Sequence, residues 1–154
     1  MATKATIEGF LGRRRLAVVG VSRDEKDFSR AVWRAFAERG YDAVPVNPAG
    51  GQVEGRPMVR SLREIVPPVE AALLMTPSAA TDAVVRECAE TGVRAVWMHR
   101  GAGRGAVSEP AVAFCREHGI EVVDGACPFM FLPGTGLGHR VHRFFLGVAG
   151  RLPH

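Results

Sequence analysis

Although 47% of its 154 residues are hydrophobic, the chain holds no run of about 18 apolar residues, the length a membrane span needs. The opening MATKATIEGF has neither the apolar core nor the cleavage site of an export signal. Cysteine is scarce: Cys88, Cys115 and Cys127 stand at unrelated spacings with no CxxC pair, which removes thioredoxin-type and zinc-ribbon chemistry and makes a reduced, cytoplasmic setting the default. Aromatics make up 7%, with no aromatic-rich ribbon, zinc finger or helix-turn-helix pattern, so the net charge of +4 is not read as a nucleic-acid footprint. The basic residues are scattered; Arg13 to Arg15 form the one dense cluster, expected as a solvated approach to a first strand.

Missing too is the G-x-G-x-x-G turn of dinucleotide-binding proteins, together with the acid about 20 residues later that holds a ribose diol. LAVVGVSRDEKDFSRAVWRAFAERG, Leu16 to Gly40, otherwise has the outline of such a βαβ opening, and VPVNP stands where the acid belongs. An NAD(P)-dependent oxidoreductase is therefore disfavoured.

What is present is a joint repeated three times: Glu38-x-Gly40-x-x-Ala43-Val44, Glu90-x-Gly92-x-x-Ala95-Val96 and Glu117-x-Gly119-x-x-Val122-Val123. Each glycine suits the left-handed residue that closes a helix, and the residues after it begin a buried strand. Helices are expected over 29–39, 81–91 and 108–118, the last capped by Ser108 with Pro110 in its first turn. Ser61 to Glu64 has capping-box spacing ahead of Pro67-Pro68 and predicts a short helix. Strands fall at 16–19, 43–46, 71–75, 95–98 and 121–123. The fold class expected is α/β, one domain over 1–154 with a five-stranded, mostly parallel sheet and a ligand crevice at the strands' carboxyl ends.

Five short loops lie at those ends: Gly20-Val21-Ser22, Asn47-Pro48, Thr76-Pro77-Ser78, His99-Arg100-Gly101 and Ala126-Cys127-Pro128. Gly20 makes the turn out of the first strand, and amides near Ser29 open the helix whose positive end favours an anion. The hydroxyls of Ser22, Ser29, Thr76 and Ser78 are candidate phosphate or amide ligands, and Arg23 and Arg30 are candidate phosphate partners. Against this, Asp24, Glu25 and Asp27 bring three carboxylates to the same loop.

The segments VVGVSRDEKDFSRAVWRAFAERGYDAVPVNP, TPSAAT, VWMHRG and GACP resemble the small CoA-binding proteins similar to the amino-terminal domain of the succinyl-CoA synthetase alpha subunit, over roughly Leu16 to Pro128. The resemblance implies a Rossmann-like three-layer sandwich and coenzyme A, or an acyl-CoA, as the ligand. CoA phosphates would meet Gly20, Val21, Ser22 and the stretch through Arg23, Ser29 and Arg30. Val46-Asn47-Pro48 and Thr76-Pro77-Ser78 would flank the adenosine and the start of the pantetheine, with His99, Arg100, Cys127 and Pro128 along the same crevice. The synthetase's ligase chemistry needs a second domain with a phosphorylated histidine, for which these residues leave no room.

The expected function is thus non-covalent binding of CoA, with no catalytic residue assigned and no metal site. Alternatives are a small acyl-CoA-dependent enzyme or ligase accessory subunit, with Cys127 or His99 near the thioester, and the NAD(P) oxidoreductase already disfavoured. His139 and His142 share a face if 138–147 is helical, which offers two metal ligands; packing of Val141, Phe144 and Phe145 on the domain or a sister subunit is the preferred reading. Trp33, Trp97 and Phe131 leave a homodimer, or a larger partner protein, open.

Overall fold

The computed structural model describes residues 3–100 and 105–132. Five parallel strands form its centre: β1 (Arg15–Val19), β2 (Asp42–Val46), β5 (Ala71–Leu74), β6 (Ala95–Met98) and β7 (Glu121–Asp124), in the order β2-β1-β5-β6-β7. Every strand alternates between two cores. Ala17, Val19, Val44, Val46, Leu74 and Met98 face α3 (Ser78–Thr91) and α4 (Glu109–Glu117); Leu16, Val18, Ala43, Leu73 and Trp97 face α1 (Lys4–Leu11) and α2 (Phe28–Glu38). Helices on both sides of a parallel sheet explain why its strands are apolar runs rather than apolar-polar alternations. This is the α/β, Rossmann-like three-layer arrangement expected from the sequence.

All three joint glycines take positive φ, +82° at Gly40, +87° at Gly92 and +71° at Gly119, as a helix-closing residue before a strand requires. Ser108 caps α4 by accepting the Ala111 amide, with Pro110 in the first turn. Two local expectations are corrected. The Ser61 box does not form: its hydroxyl caps nothing, a single 3₁₀ turn spans Leu62–Glu64, and the Leu62 amide is held instead by Glu87 of α3 at 2.5 Å. Helix α3 begins at Ser78, three residues ahead of the expected start, with Pro77 as an N-cap that offers no side-chain acceptor.

Two elements were not anticipated. Helix α1 starts at a reciprocal Thr3–Thr6 cap and buries Ile7 and Phe10. A hairpin of β3 (Gln52–Val53) and β4 (Arg56–Pro57) turns through Glu54 and Gly55, both at positive φ, and the chain then runs parallel to β2 through a Val46–Val59 bridge. Trp33 and Trp97 are 6% and 0% exposed, so they are core residues and not surface anchors for a second subunit. The arginine triplet is anchored and not simply solvated: Arg13 and Arg14 donate to the Gly9 and Arg39 carbonyls, and Arg15 to Asp42. Residues 138–147, with His139 and His142, lie outside the described residues. Among the described residues no helix is long and apolar enough to cross a membrane.

Candidate functional site

From β1 the chain crosses to β2 at one edge and then returns to β5 on the other side of β1. Helix α2 covers one face and α3 the opposite one, so the loops after β1 and β5 diverge and leave a crevice between them. Gly20 makes this point close-packed. Its φ is +98°, and a Cβ there would stand 3.0 Å from the Met75 carbonyl carbon and 3.3 Å from the Thr76 nitrogen. The first loop therefore rests on the backbone leaving β5.

Within the turn the amides are spent internally. Gly20 and Val21 donate to the Val46 carbonyl at 2.9 and 3.3 Å, and Ser22 donates to Ser29 Oγ at 2.8 Å. Asn47 reinforces the same junction, its Nδ2 donating to the Val21 carbonyl while Oδ1 accepts the Ala49 amide. Pro48 lies inside that turn. The loop's open amides are consequently those of Arg23, Glu25 and Phe28, which have no hydrogen-bond partner among the described residues.

The four candidate hydroxyls divide into two pairs. Ser29 is buried; it donates to Asp27 Oδ1 at 2.7 Å besides accepting Ser22. Thr76 is 2.9 Å from Thr81 Oγ1, which donates to the Ala106 carbonyl, so Thr76 must direct its own proton to Thr81. Ser22 accepts the Asp24 amide and keeps its proton for a ligand, and the Ser78 hydroxyl has no partner among the described residues. Ser78 and Ala79 also carry the open amides of α3's uncapped first turn. They border a cleft of about 760 Å³ lined further by Asp82, Arg100, Ser108 and Glu109.

Arg30, one of the two candidate phosphate partners, is buried. It is 7% exposed, and its Nη1 donates to the Ser22 and Gln52 carbonyls at 3.2 and 3.3 Å, tying the first loop to the β3–β4 hairpin. Burial is possible because the chain supplies two carbonyls to solvate the charge. Two of the neighbouring carboxylates are locally engaged: Asp27 caps α2, and Asp24 accepts the Lys26 amide.

At the far side of the rim, Phe28, His99 and Phe129 form an aromatic group with Phe28 at its centre, its ring centroid 5.7 Å from His99 and 5.4 Å from Phe129. His99 Nε2 is enclosed without a hydrogen bond among the described residues, and burial holds the imidazole below its usual pKa and hence neutral at pH 7. Cys127, beside Pro128, is buried; desolvation pushes its thiol up, partly offset by the Phe129 backbone, which is opposite to the shift a thiolate nucleophile needs. The Arg100 amide donates to the Ala126 carbonyl, joining the loops after β6 and β7. Among the described residues no group of three or more His, Cys, Asp or Glu could hold a metal ion. Phe28 and Phe129 escaped the sequence reading; the signal available was an apolar residue directly behind the Asp27 cap in a polar run.

The family model described as CoA binding domain matches residues 14–133. The uncharacterised protein YneT of Bacillus subtilis is 33% identical over 126 residues, covering 81% of this chain and 90% of that protein. The alpha subunit of ADP-forming acetate–CoA ligase II of Pyrococcus furiosus is 31% identical over 91 residues; the match covers 58% of this chain and 20% of the subunit. A hypothetical protein from Pyrococcus horikoshii has a solved structure that superposes with a TM-score of 0.75 at 26% identity, covering 95% of this chain and 94% of that one.

Proposed function

The chain belongs to the CoA-binding domain family, and from that premise we propose that it holds coenzyme A or an acyl-CoA non-covalently in the crevice between β1 and β5. The diphosphate lies at the start of α2, against the Arg23, Glu25 and Phe28 amides and the Ser22 hydroxyl. The adenosine borders Asn47-Pro48, the pantetheine follows Thr76-Pro77-Ser78, and the thiol end reaches His99, Arg100 and Cys127.

The observation carrying this reading is the set of open amides on both sides of the topological switch point, in the loop that leads into α2 and at the uncapped start of α3. Donors at the beginnings of α2 and α3 face a ligand that is anionic at one end and amide-rich along its arm. The exit of β2 argues against a dinucleotide, because Asn47 stands in place of a carboxylate and both ends of its amide are occupied. The protonated Cys127 and neutral His99 supply no activated nucleophile, and the role assigned is binding.

As a binding unit of this kind the chain acts as a single domain in a cytoplasmic setting, alone or beside a partner protein. The ligase subunits it resembles are about five times the length of the matched region, so their reaction does not come with the match. Isothermal titration with CoA, and separately with NADPH, tests the reading. Saturation by CoA at a lower concentration than NADPH is expected; saturation by NADPH alone would replace CoA with a dinucleotide. Native mass spectrometry of the same sample reads bound ligand and subunit number together.

A further inference from the structure

The burial of Arg30 leaves donors unfilled. Its Nη1 is taken by the Ser22 and Gln52 carbonyls, but Nε is enclosed with no hydrogen-bond partner among the described residues, and no hydrogen bond or ion pair among them uses Nη2. Nε and Nη2 lie on one edge of the guanidinium plane, the edge that grips a carboxylate through two parallel N–H···O bonds. A buried cation ordinarily has its donors filled, so this edge calls for an acceptor that the chain does not supply. Arg13 Nε is enclosed and unpartnered too, but Arg13 has a counter-charge in Glu121 at 3.7 Å. Arg30 has none among the described residues.

That edge belongs to an open cleft of about 480 Å³ between α2 and the β3–β4 hairpin, where Arg30 is joined by Glu25, Arg34, Gln52, Glu54 and Gly55. The cleft shares no lining residue with the one at Ser78, and no apolar side chain lines it. Its charges alternate. Arg34 pairs with Glu54, which leaves Arg30 and the exposed Glu25 as one cation and one anion in the same cleft. Glu54 holds a φ of +48° in a tight turn whose ordinary occupants are Asn, Asp and Gly, so its carboxylate is kept at the cleft against a conformational cost. A simple anion entering here would meet Glu25 and Glu54 as well as Arg30, and a simple cation would meet Arg30 and Arg34. A molecule that carries both charges close together is repelled by neither pair.

We propose that the cleft between α2 and the β3–β4 hairpin binds a free α-amino acid, with its carboxylate on the Nε–Nη2 edge of Arg30 and its ammonium group towards Glu25 and Glu54. The polar lining selects a polar side chain. Because Arg30 Nη1 also holds the Ser22 carbonyl, the amino acid bears on the first loop from outside the crevice. The site does not depend on the CoA reading.

The test is calorimetry of the full chain at pH 7 with L-serine, L-asparagine and L-glutamine. Saturation by at least one of them at millimolar concentration or below is expected. The same molecule without its amino group or without its carboxylate, 3-hydroxypropionate and ethanolamine in the case of serine, is expected to bind about tenfold more weakly or worse, having lost one charge-assisted contact. Arg30→Lys keeps the charge but not the two-donor edge and should weaken the amino acid by about tenfold. Glu25→Gln, at an exposed side chain, should weaken it by about fivefold, and Glu117→Gln on α4, a charge control on the other face of the sheet, should match wild type. No saturation by any of the three amino acids, equal affinity for an analogue lacking one charge, or unchanged affinity in both Arg30→Lys and Glu25→Gln would overturn the site. Displacement of the bound amino acid by CoA would overturn it as well, by making the cleft part of the crevice between β1 and β5. Circular dichroism melting restricts the comparison to folded protein; where Arg30→Lys does not fold, Glu25→Gln and the analogues decide.

Discussion

Ser29 Oγ accepts the Ser22 amide at 2.8 Å and donates to Asp27 at 2.7 Å, so the first residues of α2 close the loop that leads into them. The turn is organised before any ligand arrives. Ser29→Ala leaves the partly buried Ser22 amide unsatisfied and removes a partner of the capping carboxylate. A loss of about 1–3 kcal/mol is expected in guanidinium denaturation at pH 7, together with weaker CoA binding.

Gly20 and Gly92 both have positive φ but different surroundings. Nothing lies within 4 Å of a Cβ on Gly92, whereas one on Gly20 meets the Met75 and Thr76 backbone. Gly92→Ala is expected to cost about 1–2 kcal/mol from left-handed strain alone. Gly20→Ala adds a backbone clash at the crevice, so its loss should exceed that of Gly92→Ala in the same denaturation series.

How far the sequence reaches is clearest at these glycines. Gly40, Gly92 and Gly119 were legible because helix closure and strand entry each demand a local residue type, and the two demands fall at fixed spacing. The β3–β4 hairpin was not, since two residues per strand carry no periodicity. The burial of Arg30 was not legible for the same reason, since one of the carbonyls it donates to lies in that hairpin. The loops at the rim were readable as candidates, but which donors remain free depends on bonds such as Ser22–Ser29, between residues seven apart, that no spacing rule announces.

All three cysteines are buried, and burial raises each thiol: Cys115 to about 11, with Cys88 pushed up further and Cys127 also up. Native protein is expected to react slowly with Ellman's reagent at pH 7.5 and to release three equivalents once denatured. In a folded state that keeps the proton more tightly than the unfolded chain, the associated stability is complete below the ordinary thiol pKa of about 9 and declines as pH rises towards 11. Denaturation midpoints should fall across that window.

His99 works in the opposite direction. Its lowered pKa means that the unfolded chain takes up a proton first as pH drops, so stability declines below about pH 6.5. Replacement by Gln should flatten the profile between pH 7 and 5; an unchanged profile would mean that His99 titrates alike in both states.

Trp97 is fully buried, and its Nε1 donates to the Gly125 and Ala126 carbonyls at 3.1 and 3.2 Å, holding the loop that carries Cys127. Trp97→Phe is expected to cost about 1–3 kcal/mol. Hydrogen exchange should quicken in the 125–130 segment relative to β1.

The most direct measurement is a ¹⁵N-resolved titration with CoA that follows each backbone amide. The expected result is saturable shifts concentrated at Arg23, Glu25, Phe28, Ser78 and Ala79, with the amides near Gly92 and Gly119, at the opposite ends of the strands, unmoved. Shifts confined to those opposite ends, or none at millimolar CoA, would contradict the placement of the ligand between β1 and β5.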